Sequence, residues 1–378
     1  MAESKRLRIL VVWGASHFDE MLQDDFLDNP NYDCEIVSGD RSKTKSPHAA
    51  SWGRLRSLRR RLAAGEFDLV ISGPVQNSPW LSRYRRFFTR LVYALRFLKP
   101  SKRRMLDTWW VPWLVNRKGG GKVPLAVIDF YDTSFVLPQD FPLLEAATLY
   151  FKLNLYFWPR RSLMPLEHLF GRKLVTPHTP KLRPMTNGIP RELVPATVRP
   201  MAERDIDICF TGSIVPKRSA DDPDPLIDFT FNPIRRDIYT RLVKLKDRYR
   251  VFALDGMVPW EEYRELLQRS RLVVCTESFG CETYRHNDVA ASGGVPLVNW
   301  MYAANHLPFE PDVHAIYFSL IGQDFERTME RALANPARLA EIAAAARDLV
   351  VNHKQRQIVG EFIVNETLAA ARASADTK

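Results

Sequence analysis

Residues 277–298 read ESFGCETYRHNDVAASGGVPLV. Four charged side chains in this stretch, Glu277, Glu282, Arg285 and Asp288, are of types that hold anionic and hydroxyl-rich ligands. A carboxylate accepts two hydrogen bonds from a ribose diol, and a guanidinium meets phosphate oxygens with a planar fork. Upstream, DIDICFTGS places Gly212 and Ser213 after an apolar run. A glycine-containing turn there offers backbone N–H groups to a diphosphate, and Lys217 or Arg218 would offset its charge. For each residue a plainer role is available. Asp288 could cap a helix, Arg285 could pair with Glu282 or Asp288, and Lys217 and Arg218 could be surface cations.

The first half of the chain holds candidate proton acceptors. In GASHFDE, His17 follows an apolar run with Asp19 near enough to orient an imidazole. In VIDFYD, Asp129 and Asp132 stand at the end of another. The histidines show no metal-ligand spacing, and DFYD is a weak match to a metal-binding D-x-D pair.

The elements that must position these groups alternate. LRILVVWG reads as a buried strand, HFDEMLQDDFL as a helix, YDCEIVSG as a strand, SWGRLRSLRRRLAAG as a helix closed by Gly65, and FDLVISG and VPLAVIDF as strands. Residues 177–200 hold six prolines and an Asn-Gly turn, which suits an interdomain linker. The pattern then restarts with DIDICFTGS, NPIRRDIYTRLVKLKDRY, RVFALDG, PWEEYRELLQRS, RLVVCT, RHNDVAAS, VPLVN and VHAIYF, and ends in Ala-rich helices from about Phe325. Strands alternating with helices imply parallel α/β sheets with right-handed crossovers. The domains expected are residues 1–180 with a basic aromatic insertion at about 80–122, a linker at 181–204, a second domain at 205–350 and a terminal helix at 351–378 packing back toward the first. Gly293-Gly294 ends the helix that carries Arg285 and Asp288.

The totals bound the possibilities. A chain of 378 residues with 46% hydrophobic and 26% charged side chains is long enough for two globular domains. The four cysteines are scattered, and Cys209 and Cys275 fall inside strand-like runs, as small core residues do. No apolar run is long enough to span a bilayer, and the N-terminal run is too short for a signal peptide. A cytoplasmic protein is expected, peripheral on the inner face of the membrane.

The net charge of +10 is uneven. From Arg54 to Lys122 there are 17 basic side chains against three acids, a net +14 that leaves −4 for the rest. Within that region Tyr84, Phe87, Phe88, Leu91, Val92 and Leu95 recur at helical spacing, with Arg83, Arg86 and Arg90 on another side and Trp109, Trp110 and Trp113 nearby. A cationic amphipathic helix beside tryptophans suits an anionic bilayer surface and a membrane-proximal acceptor. A solvated basic face on a packed helix fits equally. Nucleic acid fits less well, because no nucleic-acid motif accompanies the charge.

Several motifs carry a resemblance. DIDICFTGS resembles the opening of the second domain of GT-B glycosyltransferases, TNGIP resembles their linker turn, and RHNDVAASGGVPLV resembles their Arg, acid, Ala-rich, Gly-Gly pattern, with Asp288 where Glu is usual. ESFG, from Glu277 to Gly280, resembles the start of the E-x7-E motif of a large retaining family. The likeness is greatest to the CgeB-like and exostosin-like group. It covers residues 205–300, and the first half by architecture only. Eight residues beyond Glu277 lies Arg285, and the next acid in register, Asp288, is three residues further on.

The resemblance implies a GT-B fold of two Rossmann-like domains facing a cleft, with a nucleotide-diphosphate sugar on the second domain. It implies a glycan or lipid-linked acceptor and no bound metal or other cofactor. Glu277, Gly280, Arg285 and Asp288 would then contact the donor. A GT-B-fold sugar-nucleotide epimerase and a non-catalytic RNA or anionic-surface binder are the alternatives.

Overall fold

The computed structural model describes residues 6–13, 29–38, 52–74, 111–115, 123–130, 136, 140–156, 180–214, 232–276, 282–300 and 303–376. They divide into two compact units, one of residues 1–184 with 360–378 and one of residues 185–359.

The first unit is built on a sheet containing β1 (Leu7–Trp13), β2 (Tyr32–Ser38), β3 (Leu69–Ser72), β4 (Leu125–Asp129), β5 (Leu149–Leu153) and β7 (Leu182–Met185), in the order β2-β1-β3-β4-β5-β7. A short strand, β6 (Leu155–Tyr156), follows β5. The β2-β1, β1-β3, β3-β4 and β4-β5 pairs are parallel, with Ile9 opposite Cys34 and Leu69, and Asp129 opposite Lys152. β3, β4 and β5 are buried along their whole length, the burial expected of a parallel sheet covered on both faces.

Helix α1 (Trp52–Ala63) lays Leu55, Leu58 and Leu62 onto this sheet, and Gly65, at φ +75°, takes the left-handed conformation that ends it. Short helices α2 (Val111–Val115) and α3 (Phe141–Ala146) add Val111, Leu114, Leu143 and Leu144 to the same core.

The second unit has its own sheet, ordered β13-β11-β10-β8-β9, from β8 (Ile206–Gly212), β9 (Val251–Asp255), β10 (Ser270–Cys275), β11 (Val295–Asn299) and β13 (Ile316–Phe318); β12 (Ala303–Ala304) is a two-residue strand between the last two. Every pairing in the five-stranded sheet is parallel. Helices α4 (Asn232–Lys244), α5 (Trp260–Arg269), α6 (Tyr284–Ala291), α7 (Asp324–Leu333) and α8 (Pro336–His353) flank it. Two cores result, with Leu267, Val273, Val289 and Val350 in one and Phe210, Ile238, Leu272 and Phe325 in the other. Cys209 and Cys275 are buried free thiols in these strands.

Helix α9 (Arg356–Asp376) begins in the second unit and ends in the first, where Phe362 meets Phe151 edge-on at 5.9 Å and Glu361 accepts a hydrogen bond from Asn29 at 2.9 Å. Among the described residues no helix is long and apolar enough to cross a membrane.

Candidate functional site

The helix that carries Arg285 and Asp288 is held at both ends. At its start Thr283 and His286 form a reciprocal cap, with the Thr283 N–H donating to His286 Nδ1 at 3.1 Å. Burial pushes the His286 imidazole down to about 3, so it stays neutral, and its ring packs 6.1 Å from that of Phe309.

At the other end Gly293, at φ +71°, turns the chain, and a side chain there would meet the Arg204 guanidinium at 2.9 Å. Arg204 is fully buried and donates to the carbonyls of Ser292 (2.7 Å), Ser270 (2.7 Å), Leu267 (2.9 Å) and Arg199 (3.2 Å). Arg347 donates to the carbonyl of Ala291. Cations at the helix C-terminus satisfy its last carbonyls and oppose its dipole.

With α6 fixed in this way, Arg285 projects over the carboxyl end of β8. Gly212 has φ +154°, and its missing Cβ would lie 3.5 Å from one guanidinium nitrogen of Arg285. A second cation arrives from α4. Arg235 Nη1 donates to the Ser213 carbonyl at 3.4 Å, and its buried Nε has no partner among the described residues. Burial and then Arg285 lower the Arg235 pKa. Among the described residues no carboxylate forms an ion pair with either guanidinium. Two such cations beside a glycine turn suit an anion, and they stand at the end of a strand, where ligands of open α/β sheets sit. Asp255 shapes the same turn, its Oδ1 accepting from the Ile214 N–H at 2.8 Å.

Asp288 lies one helical turn beyond Arg285. Burial pushes its carboxyl up to about 7, against the pull of Arg285 and of the Tyr263 hydroxyl. The raised value means that the fold favours the protonated acid. Its contribution to stability is therefore present below the ordinary carboxylate range near 4 and lost as pH rises through about 7.

Glu282 does not reach this site. Its Oε1 accepts from Thr186 Oγ1 at 2.8 Å and from Lys354 Nζ at 3.0 Å, and its Oε2 from Asn305. The pairing of Arg285 with Glu282 considered from the sequence is thus replaced by a buried Glu282–Lys354 ion pair, with Lys354 fully buried and its ammonium 4.0 Å over the Phe309 ring. Asn187 ties in the same corner, donating to the Glu282 carbonyl at 3.1 Å and accepting at its own carbonyl from Asn287 at 2.8 Å.

The remaining candidates separate. Asp129 is fully buried at the end of β4, its carboxylate accepting from Tyr150 Oη at 2.8 Å and from Lys152 Nζ at 3.1 Å. A carboxylate so engaged holds three side chains of the sheet together and is poorly placed to take a proton from an incoming hydroxyl. Trp113 is on α2, 38% exposed, with the Arg59 guanidinium stacked 4.2 Å from its ring. His17, Asp132, Glu277, Gly280, Lys217, Arg218, Arg83, Arg86, Arg90, Trp109 and Trp110 lie outside the described residues. Among the described residues no cluster of His, Cys, Asp and Glu could hold a metal ion.

Arg235 was not singled out in the sequence. A signal for it exists: it stands three residues before Ile238 and seven before Leu242, both fully buried, so it shares the inward stripe of its helix while neighbouring Arg236 is exposed.

Comparison with known proteins fits this geometry. Residues 229–363 match the model of a family described as glycosyl transferase-like, a segment containing Arg235, Arg285 and Asp288. No curated protein matches the sequence at a significant level. Among solved structures, a glycosyltransferase from Rickettsia africae is similar over 97% of this chain and 99% of its own, at 10% identity and a TM-score of 0.50. Anabaena HepE in complex with UDP is similar over 97% of this chain and 100% of its own, at 12% identity and a TM-score of 0.45. Sucrose-phosphate synthase from Thermosynechococcus elongatus is similar over 99% and 100%, at 11% identity and a TM-score of 0.45. The two parallel sheets and the likeness to the Rickettsia africae structure give the chain a fold of the GT-B type, and residues 229–363 of the second unit match the glycosyl transferase-like family.

Proposed function

We propose that this protein transfers a sugar from a nucleoside diphosphate donor, held by the second unit, to a membrane-proximal glycan or lipid-linked acceptor. The observation that carries the donor half is the pair of guanidiniums, Arg235 and Arg285, beside the Gly212–Ser213 turn, neither in an ion pair with a carboxylate among the described residues. In this reading they neutralise the diphosphate in the bound donor and, more strongly, as it leaves with developing charge. Asp288, on the same helix face, accepts hydrogen bonds from the ribose diol. The acceptor half is supported by the concentration of positive charge between Arg54 and Lys122. No step in this account calls on a metal.

A pH dependence follows from Asp288. Ribose hydroxyls donate to the ionised carboxylate, so donor affinity should rise with pH up to about 7 and level off above it. Asp288→Asn should flatten that rise, as measured by calorimetric titration between pH 5 and 9. A wild-type affinity independent of pH across this range would remove Asp288 from the ribose contact.

The reaction itself is tested by incubating the protein with radiolabelled UDP-, GDP-, ADP- and TDP-sugars together with membrane extracts. One donor should lose its sugar to the lipid or glycan fraction, and Asp288→Ala should abolish the transfer. Conversion of a donor without any acceptor product would favour an epimerase, and consumption of no donor would overturn the proposal.

A further inference from the structure

Helix α1 sorts its five arginines by partner. Leu55, Leu58 and Leu62 face the sheet. On one flank Arg54 and Arg61 meet Glu35, at 3.6 and 2.8 Å, and Arg61 also meets Glu66 at 2.8 Å. Arg8 shares these acids, lying 3.7 Å from Glu66 and 3.8 Å from Asp33. The acids of this face are therefore committed to Arg8, Arg54 and Arg61. Arg56 and Arg60, four residues apart, point outward and are exposed, and Arg59 stacks on Trp113 from the flank opposite Glu35. None of these three has a carboxylate partner among the described residues.

We infer that the α1 face formed by Arg56, Arg59 and Arg60, with the Trp113 indole at its edge, is a docking surface for an anionic lipid bilayer. The inference deepens the acceptor half of the proposed function and rests on it for its biological meaning. Its three arginines precede the insertion at about 80–122 that the sequence suggested, and Trp113 belongs to that insertion. Charge complementarity selects the occupant. Three guanidiniums on one helical face, without carboxylate partners among the described residues, attract acidic headgroups, and a partly exposed indole with a polar N–H is suited to the headgroup level of a bilayer. The stacked guanidinium and indole hold their places before contact, so little ordering is required on docking. A nucleic acid would share the charge preference without needing the tryptophan.

The test is co-sedimentation of the full chain with phosphatidylcholine vesicles, pure or carrying about a third of phosphatidylglycerol. Wild type should partition onto the anionic vesicles only. Arg56→Glu, Arg59→Glu and Arg60→Glu together should lower the partition coefficient at least ~10-fold, while Lys at all three positions should retain most of it. Arg56→Gln with Arg60→Gln, both at exposed positions, should give a smaller loss and provides a variant whose folding is not at risk. Equal binding to neutral and anionic vesicles would overturn the inference, as would equal binding by wild type and the triple Glu variant. So would variant-sensitive binding to single-stranded RNA with no vesicle binding. Nucleoside diphosphate binding, measured on the same samples, separates a failure of this surface from a failure of the donor site, because the substitutions lie in the other unit.

Discussion

Replacing Arg285 with Ala should weaken nucleoside diphosphate binding by about 10- to 150-fold, the net worth of one charge-assisted hydrogen bond at about 1.5–3 kcal/mol. Nothing else on α6 can substitute, because Asp288 carries the opposite charge and His286 is neutral and occupied in its cap. Arg285→Lys should recover only part of the loss, since an ammonium offers a point charge where a planar fork is needed. Arg235→Ala should cost less, because its Nη1 is already spent on the Ser213 carbonyl.

The same substitution has a second signature. Of the two groups that pull Asp288 down against burial, Arg285 is the stronger and Tyr263 the weaker. Without Arg285 the Asp288 carboxyl moves further up, so the pH above which residual donor binding is strongest should shift from about 7 to a higher value. A structural role for Arg285 would lower stability without moving that midpoint. Calorimetric titrations of wild type and Arg285→Ala across pH read both effects.

The second large effect concerns the corner that holds the start of α6. Lys354→Met should destabilise the protein by about 3–5 kcal/mol, because it leaves the Glu282 carboxylate buried without its cation. For a domain of this size that corresponds to a fall in Tm on the order of 10 °C. Thr186 and Asn305 would still donate to Glu282, but neutral donors do not balance a buried charge.

Glu282→Gln combined with Lys354→Met should recover most of the stability, since removing both charges also removes the cost of desolvating them. Differential scanning calorimetry of the two single variants and the double completes the cycle. A double variant as unstable as Lys354→Met alone would show that the corner depends on hydrogen-bond geometry more than on charge balance.

The sequence made the strand-helix alternation legible because most strands are continuous apolar runs. β1, β2, β3, β4, β8, β9 and β11 all fall within stretches read as strands, while β10 and α6 each begin one residue before the stretches RLVVCT and RHNDVAAS read for them. β5 escaped because Lys152 interrupts its apolar pattern, and only the structure shows that lysine fully buried against Asp129. β7 escaped because it contains Pro184 at the edge of its sheet, a residue that reads as linker.

The site was partly legible for a related reason. Gly212, Arg285 and Asp288 announce themselves by type next to clear strand and helix ends, and the structure brings Arg285 over Gly212. Glu282 announces itself equally, yet its partner Lys354 lies 72 residues away, and no local pattern reports such a contact. The same distance effect hid Arg204, whose four carbonyl acceptors come from Arg199, the end of α5, the start of β10 and the end of α6.

The claim on which the account turns is that the guanidinium pair at the end of β8 holds a nucleoside diphosphate. Calorimetric titration of the protein with UDP, GDP, ADP and TDP tests it most directly. One diphosphate should bind at one site per chain, much more tightly than its nucleoside, with the binding lost in Arg235→Ala/Arg285→Ala. Binding of no diphosphate, or binding that survives removal of both arginines, would contradict it.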